Sequence, residues 1–263
     1  MSKPIVDNGK EIDWGKTSGD YSKYRDIYPT EFYEKLHILG IGIAGQRILD
    51  LGTGTGVIPR ALSSHRVKFV GTDISKEQIN AAIEISKKKG LDIEWKVCSA
   101  EDTGMSNDSF DVITACQCWW YFDKLKTIPE IVRILKPKGK LALLYMNWLP
   151  YEDMIAAKTE ELVLKYNPDW KGNGFIGNSY NMPEYLKNDF TLNTYHKFKV
   201  SVPFTRESWR GRIRACRGIG ASLSQKEVEV FDNHHNRILK ELASESFSIL
   251  HEVWFEIYEV NKN

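Results

Sequence analysis

Short apolar runs alternate with helix-like segments over residues 47–146. Runs of five to seven residues with few charges are typical of strands buried on both faces. They occur at 47–51 (RILDL), 68–73 (KFVGTD), 93–97 (IEWKV), 110–115 (FDVITA) and 140–146 (KLALLYM). Helices are predicted between them at 57–64, from Ser75 to Lys89 and at 125–135, with a turn at 137–139. Strands separated by helices predict a parallel sheet covered on both faces.

The helix that follows Ser75 has clear end signals in the sequence. Ser75 is a favourable N-cap residue, and Gln78 stands three residues later, at the spacing of a capping box. Gly90 suits the C′ position just beyond a helix. These signals predict a helix that ends at Lys89.

The pattern differs on either side of this region. A helix is predicted to begin at Pro29-Thr30 and to run through Leu39. After Pro150 the pattern predicts a helix, a strand, a largely helical stretch and a final strand, at 151–166, 194–203, 206–242 and 248–260. The final strand is expected to pair antiparallel at the edge of the sheet. We therefore predict an α/β fold with a doubly wound, mostly parallel sheet.

Length and composition are those of an ordinary globular protein. The 263 residues are 42% hydrophobic and 27% charged, and they are enough for one large α/β domain. The formal net charge of +1 gives no global field that would attract nucleic acid. The N-terminus lacks the apolar region of a secretory signal, and no run of 18 apolar residues occurs. We therefore expect a cytoplasmic protein without a membrane span.

Cysteine and histidine positions do not predict a metal site. Cys116-x-Cys118 has no second pair and no histidine at ligand spacing. The six histidines form no triad pattern, and we interpret each as a surface or structural residue. No catalytic residue is assigned from the sequence.

The loop after the first strand, Asp50-Leu51-Gly52-Thr53-Gly54-Thr55-Gly56, carries the clearest chemical signal. Glycines let the backbone turn sharply and approach a ligand without a Cβ atom in the way. The helix that follows favours an anionic group at its N-terminus. The spacing is G-x-G-x-G, whereas a dinucleotide fingerprint is G-x-G-x-x-G and a P-loop requires Gly-Lys-Ser/Thr. The alternative is a tight turn that merely needs glycine, and three alternating glycines exceed what such a turn requires.

Asp73 ends the second strand, within the sequence GTDIS. A carboxylate there can accept hydrogen bonds from both hydroxyls of a ribose that lies over the carboxyl edge of the sheet. Taken alone, Asp73 is equally suited to capping the next helix. The neighbouring glycine loop favours the ribose role.

The segments ILDLGTGTG and FVGTDIS resemble the first two motifs of class I S-adenosylmethionine-dependent methyltransferases, of the methyltransferase type 11 domain kind. Residues 99–102, 110–113 and 135–141 are similar to later motifs of that family, so the resemblance covers about residues 14–146. It implies a seven-stranded Rossmann-like fold and the cofactor S-adenosylmethionine, with S-adenosylhomocysteine as product. One departure is Ser99, where many relatives carry an acidic residue.

The resemblance assigns a part of the cofactor to each motif. Asp50 would reach the amino group, Asp73 the ribose, and Ile74 the face of the adenine. Ala100 and Glu101 would meet the adenine edge, and the loop glycines would line the methionine part. The predicted cofactor-binding residues are Tyr24, Arg25, Asp50, Gly52, Thr53, Gly54, Gly56, Asp73, Ile74, Gln78, Ala100, Glu101, Cys116 and Gln117.

Four consecutive aromatic residues, 119–122, follow the fourth predicted strand. One interpretation is a wall beside the sulfonium, since aromatic faces attract cations. The other is packing beneath the next helix, and we expect one or two of the four to face the site. Together with residues 21–29, this segment is similar to methyltransferases of the trans-aconitate type, whose N-terminal segment folds over the cofactor. That resemblance implies that Tyr24 and Arg25 lie near the methionine carboxylate; the alternative is an amphipathic helix with Arg25 in solvent.

Five arginines lie within residues 206–217. On a helix, Arg210, Arg214 and Arg217 would share a face, and guanidinium groups match carboxylates and phosphates. An anionic substrate is one interpretation, and a solvated, salt-bridged helix is the other. The predicted substrate-facing residues are Tyr21, Trp119, Trp120, Tyr145, Arg210 and Arg214.

The sequence therefore predicts an enzyme that moves a methyl group from S-adenosylmethionine to a small molecule, with a carboxylate-bearing acceptor as one interpretation. Residues 1–40 would form an N-terminal lid and 41–150 the cofactor-binding core. Residues 151–263 would supply the last strands and a helical cap over the substrate pocket, at 151–190 and 204–245. The alternative function is nucleic-acid modification or binding through the arginine helix, which the near-neutral charge disfavours. The oligomeric state is left open.

Overall fold

The computed structural model describes residues 5–7, 10–11, 13–25, 27–63 and 66–262. Its strands are β1 (Ile5–Val6), β2 (Lys10–Glu11), β3 (Arg47–Leu51), β4 (Lys68–Asp73), β5 (Glu94–Val97), β6 (Phe110–Cys116), β7 (Leu135–Trp148), β8 (Phe190–Thr205) and β9 (Ser246–Val260). Its α-helices are α1 (Ser18–Tyr24), α2 (Thr30–Ile38), α3 (Val57–Leu62), α4 (Lys76–Lys89), α5 (Lys124–Ile134), α6 (Met154–Tyr166), α7 (Arg206–Arg214) and α8 (Gln225–Leu242). The side chain of Tyr21, a predicted substrate residue, and the predicted helix end at Ser64 lie outside the described part.

Seven strands form one mixed sheet in the order β5-β4-β3-β6-β7-β9-β8. The strands β3 to β7 run parallel, and in the centre Leu49 lies opposite Val70 on one side and Ile113 on the other. Apolar residues dominate the inner strands because helices cover the sheet. The predicted α/β fold with a seven-stranded, mostly parallel sheet is confirmed.

The last two strands complete the sheet in the antiparallel direction. Asn261 N donates to Asp189 O at one end of the β8–β9 pair (2.8 Å), and Arg206 N donates to Glu245 O at the other (3.0 Å). The low-numbered end of one strand therefore meets the high-numbered end of its partner. An antiparallel strand near the C-terminus was expected and is confirmed.

The expected edge position of the last strand is wrong. β9 lies between β7 and β8, and β8 forms the edge. The burial of the two strands explains the order, since residues 249–255 are almost continuously buried whereas β8 is exposed at many of its positions. An inner strand is covered on both faces, and an edge strand tolerates exposure.

Element boundaries agree with the pattern in most of the core. Ser75 Oγ accepts from Gln78 N (3.3 Å), and Gly90 adopts φ 65°, so the predicted N-cap and the predicted terminal glycine of α4 are both used. The predicted capping box is not completed, because Ser75 N donates to Asp73 Oδ1 and not to Gln78. The main difference is at the predicted turn 137–139, which lies inside β7, because that strand begins at Leu135. The chain still turns locally there: Lys138 has φ 61°, and the pairing of β6 with β7 shifts register.

The chain forms two compact units, which we describe separately. Unit 1 comprises residues 1–28, 147–178 and 198–252, and unit 2 comprises 29–146, 179–197 and 253–263. Unit 2 holds α2 to α5 and the parallel strands, with Phe32 and Leu36 of α2 fully buried. Unit 1 holds α1, α6, α7 and α8 around Trp209 and Phe231. The three predicted segments, lid, core and cap, remain a prediction.

No α-helix within the described residues is long and apolar enough to cross a membrane.

Candidate functional site

The glycine loop follows β3 in unit 2 and turns through three left-handed residues. Gly52, Gly54 and Gly56 have φ values of 58°, 57° and 80°, which favour glycine over any other residue. A Cβ atom at Gly52 would lie 2.9 Å from Cys118 Sγ, so the loop lies directly against the segment after β6. The sequence pattern predicted this sharp turn correctly.

Trp95 explains two glycines that sequence reasoning did not connect. The residue lies in β5 opposite Gly71 of β4. A Cβ atom at Gly56 or at Gly71 would overlap its indole ring. Gly56 therefore serves the packing of the loop on the sheet, whatever it contributes to a ligand. The sequence did contain a signal for this contact, namely a glycine and a tryptophan in two successive predicted strands.

Asp50 is buried at the end of β3 and is held by two hydroxyl groups. Thr114 Oγ1 donates to its Oδ1 (2.6 Å) and Thr53 Oγ1 to its Oδ2 (2.5 Å). Burial raises the pKa of Asp50 to about 6, against the opposing effect of these hydrogen bonds. The carboxylate is thus a buried negative charge that a cationic ligand group would stabilise. Thr114 was not among the predicted residues.

Asp73 links the glycine loop to β4. Its Oδ2 accepts from Gly54 N and its Oδ1 from Ser75 N, both at 2.9 Å. Burial raises the pKa of this carboxyl group as well. Ser75 is the N-cap of α4, so Asp73 is not needed for that task. Each carboxylate oxygen has a second lone pair, which leaves capacity for ligand hydroxyl groups.

Two exposed apolar side chains stand at the carboxyl ends of β4 and β5. Ile74 is 39% exposed and Val97 is 45% exposed. Val97 lies opposite Asp73 in the sheet, so both apolar groups are next to the carboxylate. Exposed apolar side chains at such a point suit the face of a planar ring. Val97 was missed, although it is the last residue of a predicted strand.

Three further predicted cofactor-binding residues have mixed surroundings. Ala100 and Gln78 are buried. Glu101 is half-buried, and its Oε1 accepts from Asp123 N (3.0 Å). Glu101 thereby joins the segment after β5 to the start of α5.

Gln117 follows β6 with a left-handed backbone, φ 60°, which is uncommon for a residue with a side chain. Its backbone N donates to Leu144 O (2.9 Å), and its Nε2 donates to Met146 O. Its Oε1 is buried and has no hydrogen-bond partner among the described residues. Next to it, Cys116 is half-buried, and Cys118 Sγ donates to Leu51 O (3.1 Å). The segment after β6 thus offers one hydrogen-bond acceptor, Gln117 Oε1, that has no donor among the described residues.

The aromatic run after β6 divides between buried and exposed positions. Trp119 is buried, and its Nε1 donates to Tyr185 OH (3.3 Å). Trp120 is 46% exposed and stacks on Tyr145, with ring centres 5.7 Å apart. Tyr145 stacks in turn on Trp254 at 4.7 Å, and burial raises the pKa of its hydroxyl. Trp254, at the far end of the sequence, was not predicted to join this group.

The residues predicted near the N-terminus belong to unit 1. Tyr24 is buried, its OH donates to Glu207 Oε1 (2.7 Å), and its ring lies against Gly211. Arg25 is half-buried. Their predicted contacts with the cofactor remain a prediction.

Arg210 and Arg214 of α7 form ion pairs with acidic residues. Arg214 binds both carboxylate oxygens of Asp20 at 2.9 Å, and its Nη1 donates to Asp232 Oδ1 (2.7 Å). Arg210 Nε donates to the same oxygen (3.0 Å). These pairs keep the pKa of Asp232 low, although burial opposes them. An anionic substrate would have to compete with both carboxylates.

The prediction that three arginines share one face of a helix is wrong for Arg217. α7 ends at Arg214, so Arg217 lies beyond the helix. Its Nε is 3.0 Å from Oδ2 of Asp7, a buried residue of the N-terminal segment. Gly218 and Gly220 follow shortly afterwards, which is consistent with the helix ending early.

The model of the methyltransferase domain family matches residues 44–200, more than half of the chain. The chain belongs to this family. Among curated relatives, an uncharacterized methyltransferase of Schizosaccharomyces pombe is 32% identical over 127 residues, which are 48% of this chain and 49% of the relative. An uncharacterized methyltransferase of Bacillus subtilis, YcgJ, is 32% identical over 132 residues, which are 47% of this chain and 52% of the relative. This methyltransferase domain therefore spans about half the length of the curated relatives it matches.

Solved structures show the same class I methyltransferase fold. The crystal structure of YcgJ aligns with a TM-score of 0.51 at 21% identity and covers 87% of this chain and 97% of that one. A Haemonchus contortus methyltransferase, described as phospholethanolamine N-methyltransferase 2, aligns with a TM-score of 0.51 at 21% identity, covering 92% of this chain and 57% of that one. That structure is a complex with phosphomonomethylethanolamine and S-adenosylhomocysteine. The similarity to the trans-aconitate type is not among these findings.

Within unit 2 the structure brings together most of the predicted cofactor residues of the methyltransferase domain. The glycine loop, Asp50, Asp73 and Gln117 all lie at the carboxyl ends of β3, β4 and β6. The described residues hold no cluster of histidine, cysteine, aspartate or glutamate that would suit a metal ion.

Proposed function

We propose that this chain binds S-adenosylmethionine at the carboxyl edge of β3, β4 and β6 and transfers its methyl group to a small molecule. The observation that carries the proposal is the position of Asp73, whose carboxylate accepts from the glycine loop and from the start of α4. The carboxylate, the glycine loop and an exposed apolar side chain thus stand together at one point of the sheet. The proposal assigns a cytoplasmic location, as the sequence predicted.

The residues at this edge fit the cofactor's chemical groups. Ile74 and Val97 offer an apolar surface to adenine, and Asp73 has free lone pairs for the ribose hydroxyls. The buried Oε1 of Gln117 lacks a donor among the described residues, and an ammonium group would supply one. The buried carboxylate of Asp50 would favour the same positive group.

The proposed reaction requires little acid–base chemistry from the protein. When bound, S-adenosylmethionine supplies a methyl group that is already activated by the sulfonium. The residues of this chain would bind, orient and shield the reactants, and such alignment can account for a large part of the rate enhancement. We therefore assign no general base to this edge.

A small-molecule acceptor is favoured over nucleic acid. The nucleic-acid alternative depended on the arginine helix, and Arg210, Arg214 and Arg217 are all paired with carboxylates. The prediction of an anionic acceptor depended on the same three arginines. Because these are already paired with carboxylates, they give it no support, and it stays a prediction. Support for a small molecule comes from the relatives: a Nitrosococcus oceani protein named ubiquinone biosynthesis O-methyltransferase is 28% identical over 158 residues.

Calorimetric titration with S-adenosylhomocysteine tests the cofactor site. We expect saturable binding to the wild type and a loss of about 100-fold or more in affinity for Asp73→Asn, because an amide cannot accept both ribose hydroxyls and two backbone N–H groups. Asp92→Asn, at an exposed residue beyond α4, is the matched control and should bind as the wild type does. Equal affinities for the two variants, or no binding by the wild type, would refute the proposal. Release of labelled methyl from S-adenosylmethionine to added small molecules then tests the transfer itself.

A further inference from the structure

His251 is a fully enclosed histidine in the part of β9 that belongs to unit 1. It follows Leu250, whose O accepts from Leu149 N (3.0 Å) just beyond the end of β7. Its ring lies edge-on to Trp148, with centres 6.5 Å apart, and stacks on Phe204 at 6.1 Å. The exposed fraction of the residue is 0%. Aromatic rings therefore form two of its walls.

The hydrogen-bonding state of this ring follows from its neighbours. Nδ1 lies 2.8 Å from Ile249 O, and a carbonyl oxygen only accepts, so Nδ1 carries the hydrogen. Burial, together with the charges of Arg212 and Arg25, lowers the pKa of His251 to about 4, which leaves the ring neutral at pH 7. Nε2 is then an acceptor.

Nε2 has no hydrogen-bond partner among the described residues. A buried acceptor without a donor reduces stability, and most such groups in folded proteins are satisfied. The nitrogen would be satisfied by a ligand that carries a donor.

An open cleft adjoins the same aromatic wall. Its volume is about 480 Å³, which is in the range of small-molecule sites. Pro203, Phe204 and Phe247 form its apolar side, and Thr205, Ser208 and Ser246 contribute hydroxyl groups. Phe204 both lines this cleft and stacks on His251, so it is the side chain that the cleft and the buried histidine share.

We propose that this cleft and His251 form a binding site for a hydroxyl-bearing aromatic molecule, whose O–H donates to Nε2 while its ring packs among Phe204 and Trp148. The hydroxyl matches the unmet acceptor, and the aromatic walls match a planar ring. This inference goes beyond the proposed function and concerns residues of unit 1 alone. The binding itself does not depend on the cofactor.

Phenol and anisole are the matched probes, because anisole has the same ring but no O–H. With ¹⁵N-histidine-labelled full-length protein, phenol should shift the Nε2 resonance of His251 toward the hydrogen-bonded value, and anisole should leave it unchanged. In His251→Phe, the affinity for phenol should fall about tenfold, which is the loss of one buried hydrogen bond. Phenylalanine also removes the Nδ1–H bond to Ile249 O, so the melting temperature of this variant serves only to show that it is folded where the affinities are compared.

His235→Phe is the control within unit 1. His235 is also buried, and its Nδ1 has no hydrogen-bond partner among the described residues, but its Nε2 lies 3.2 Å from Thr159 Oγ1 and the residue does not line the cleft. Its loss should lower the melting temperature and leave the affinity for phenol unchanged. This outcome separates a structural histidine from a binding one.

Several results would overturn the inference. They are a Nε2 resonance that phenol does not move, an equal response to anisole, and a Nε2 that is already hydrogen-bonded in the free protein. Failure of S-adenosylhomocysteine to bind, with phenol still binding at His251, would refute the proposed function and leave this binding site intact.

Discussion

The glycine loop of unit 2 and the arginine helix of unit 1 are stabilised in different ways. In the loop, backbone shape and close packing dominate: Gly52 lies against Cys118, and Gly56 against Trp95. Around α7, charge pairing dominates, since Arg214 lies between Asp20 and Asp232.

This difference predicts how each region responds to change. A region organised by close packing fails when volume is added, because the backbone and the sheet behind it cannot move apart cheaply. A region organised by half-buried ion pairs loses stability when one charge is removed, because the partner carboxylates are left half-buried without an opposite charge. Substitutions of each kind can therefore test the comparison.

The largest effect is expected for Gly56→Ala. The added Cβ atom would overlap the Trp95 indole at a backbone φ of 80°, so we expect a loss of about 3–5 kcal/mol in the free energy of unfolding. Gly45→Ala is the control, because Gly45 has φ 90° but nothing within 4 Å of the added atom, and it should lose about 1–2 kcal/mol. Urea denaturation measures both, and similar losses would show that packing on Trp95 is unimportant.

A smaller loss is expected for Arg214→Gln, which removes the partner of two half-buried carboxylates. We expect the free energy of unfolding to fall by about 2–3 kcal/mol, which is less than the loss for a fully buried pair. Arg206→Gln is the control, since its partner Glu245 is 70% exposed, and it should lose less than about 1 kcal/mol. Adding Asp20→Asn to Arg214→Gln should restore part of the stability. A purely additive double variant would argue against the pairing.

The smallest effect is a pH dependence that originates at Asp50. Its pKa is about 6 in the folded chain and near 3.8 in the unfolded one, so the folded state binds more protons between these values. The stability contribution is therefore present at low pH and is lost as pH rises through 6, by about 2 kcal/mol between pH 4.5 and 6.5. Asp50→Asn should lack this component when unfolding is measured across that range. An identical pH profile in the variant would show that Asp50 does not titrate there.

The core of the fold was predictable because its signals are local. Each parallel strand is a short apolar run, and Ser75 and Gly90 mark the ends of α4 within the same stretch of chain. The partners in the loop are also near in sequence: Thr53 is three residues from Asp50, and Gly54 is 19 residues from Asp73. Interactions between residues so near in sequence follow from their spacing, so the strand ends and the residues at the carboxyl edge of the sheet could be located without a structure.

The tertiary structure decided which residues far apart in sequence come into contact. Asp20 and Arg214 are 194 residues apart, and no local pattern shows which carboxylate an arginine will meet. The stack of Tyr145 on Trp254 and the inner position of β9 depend in the same way on the order of strands in the sheet. The sequence alone determined the periodicity and the turns, because these follow from each residue's own backbone and side chain. Only folding decided burial and charge compensation, because both depend on which remote residues come into contact.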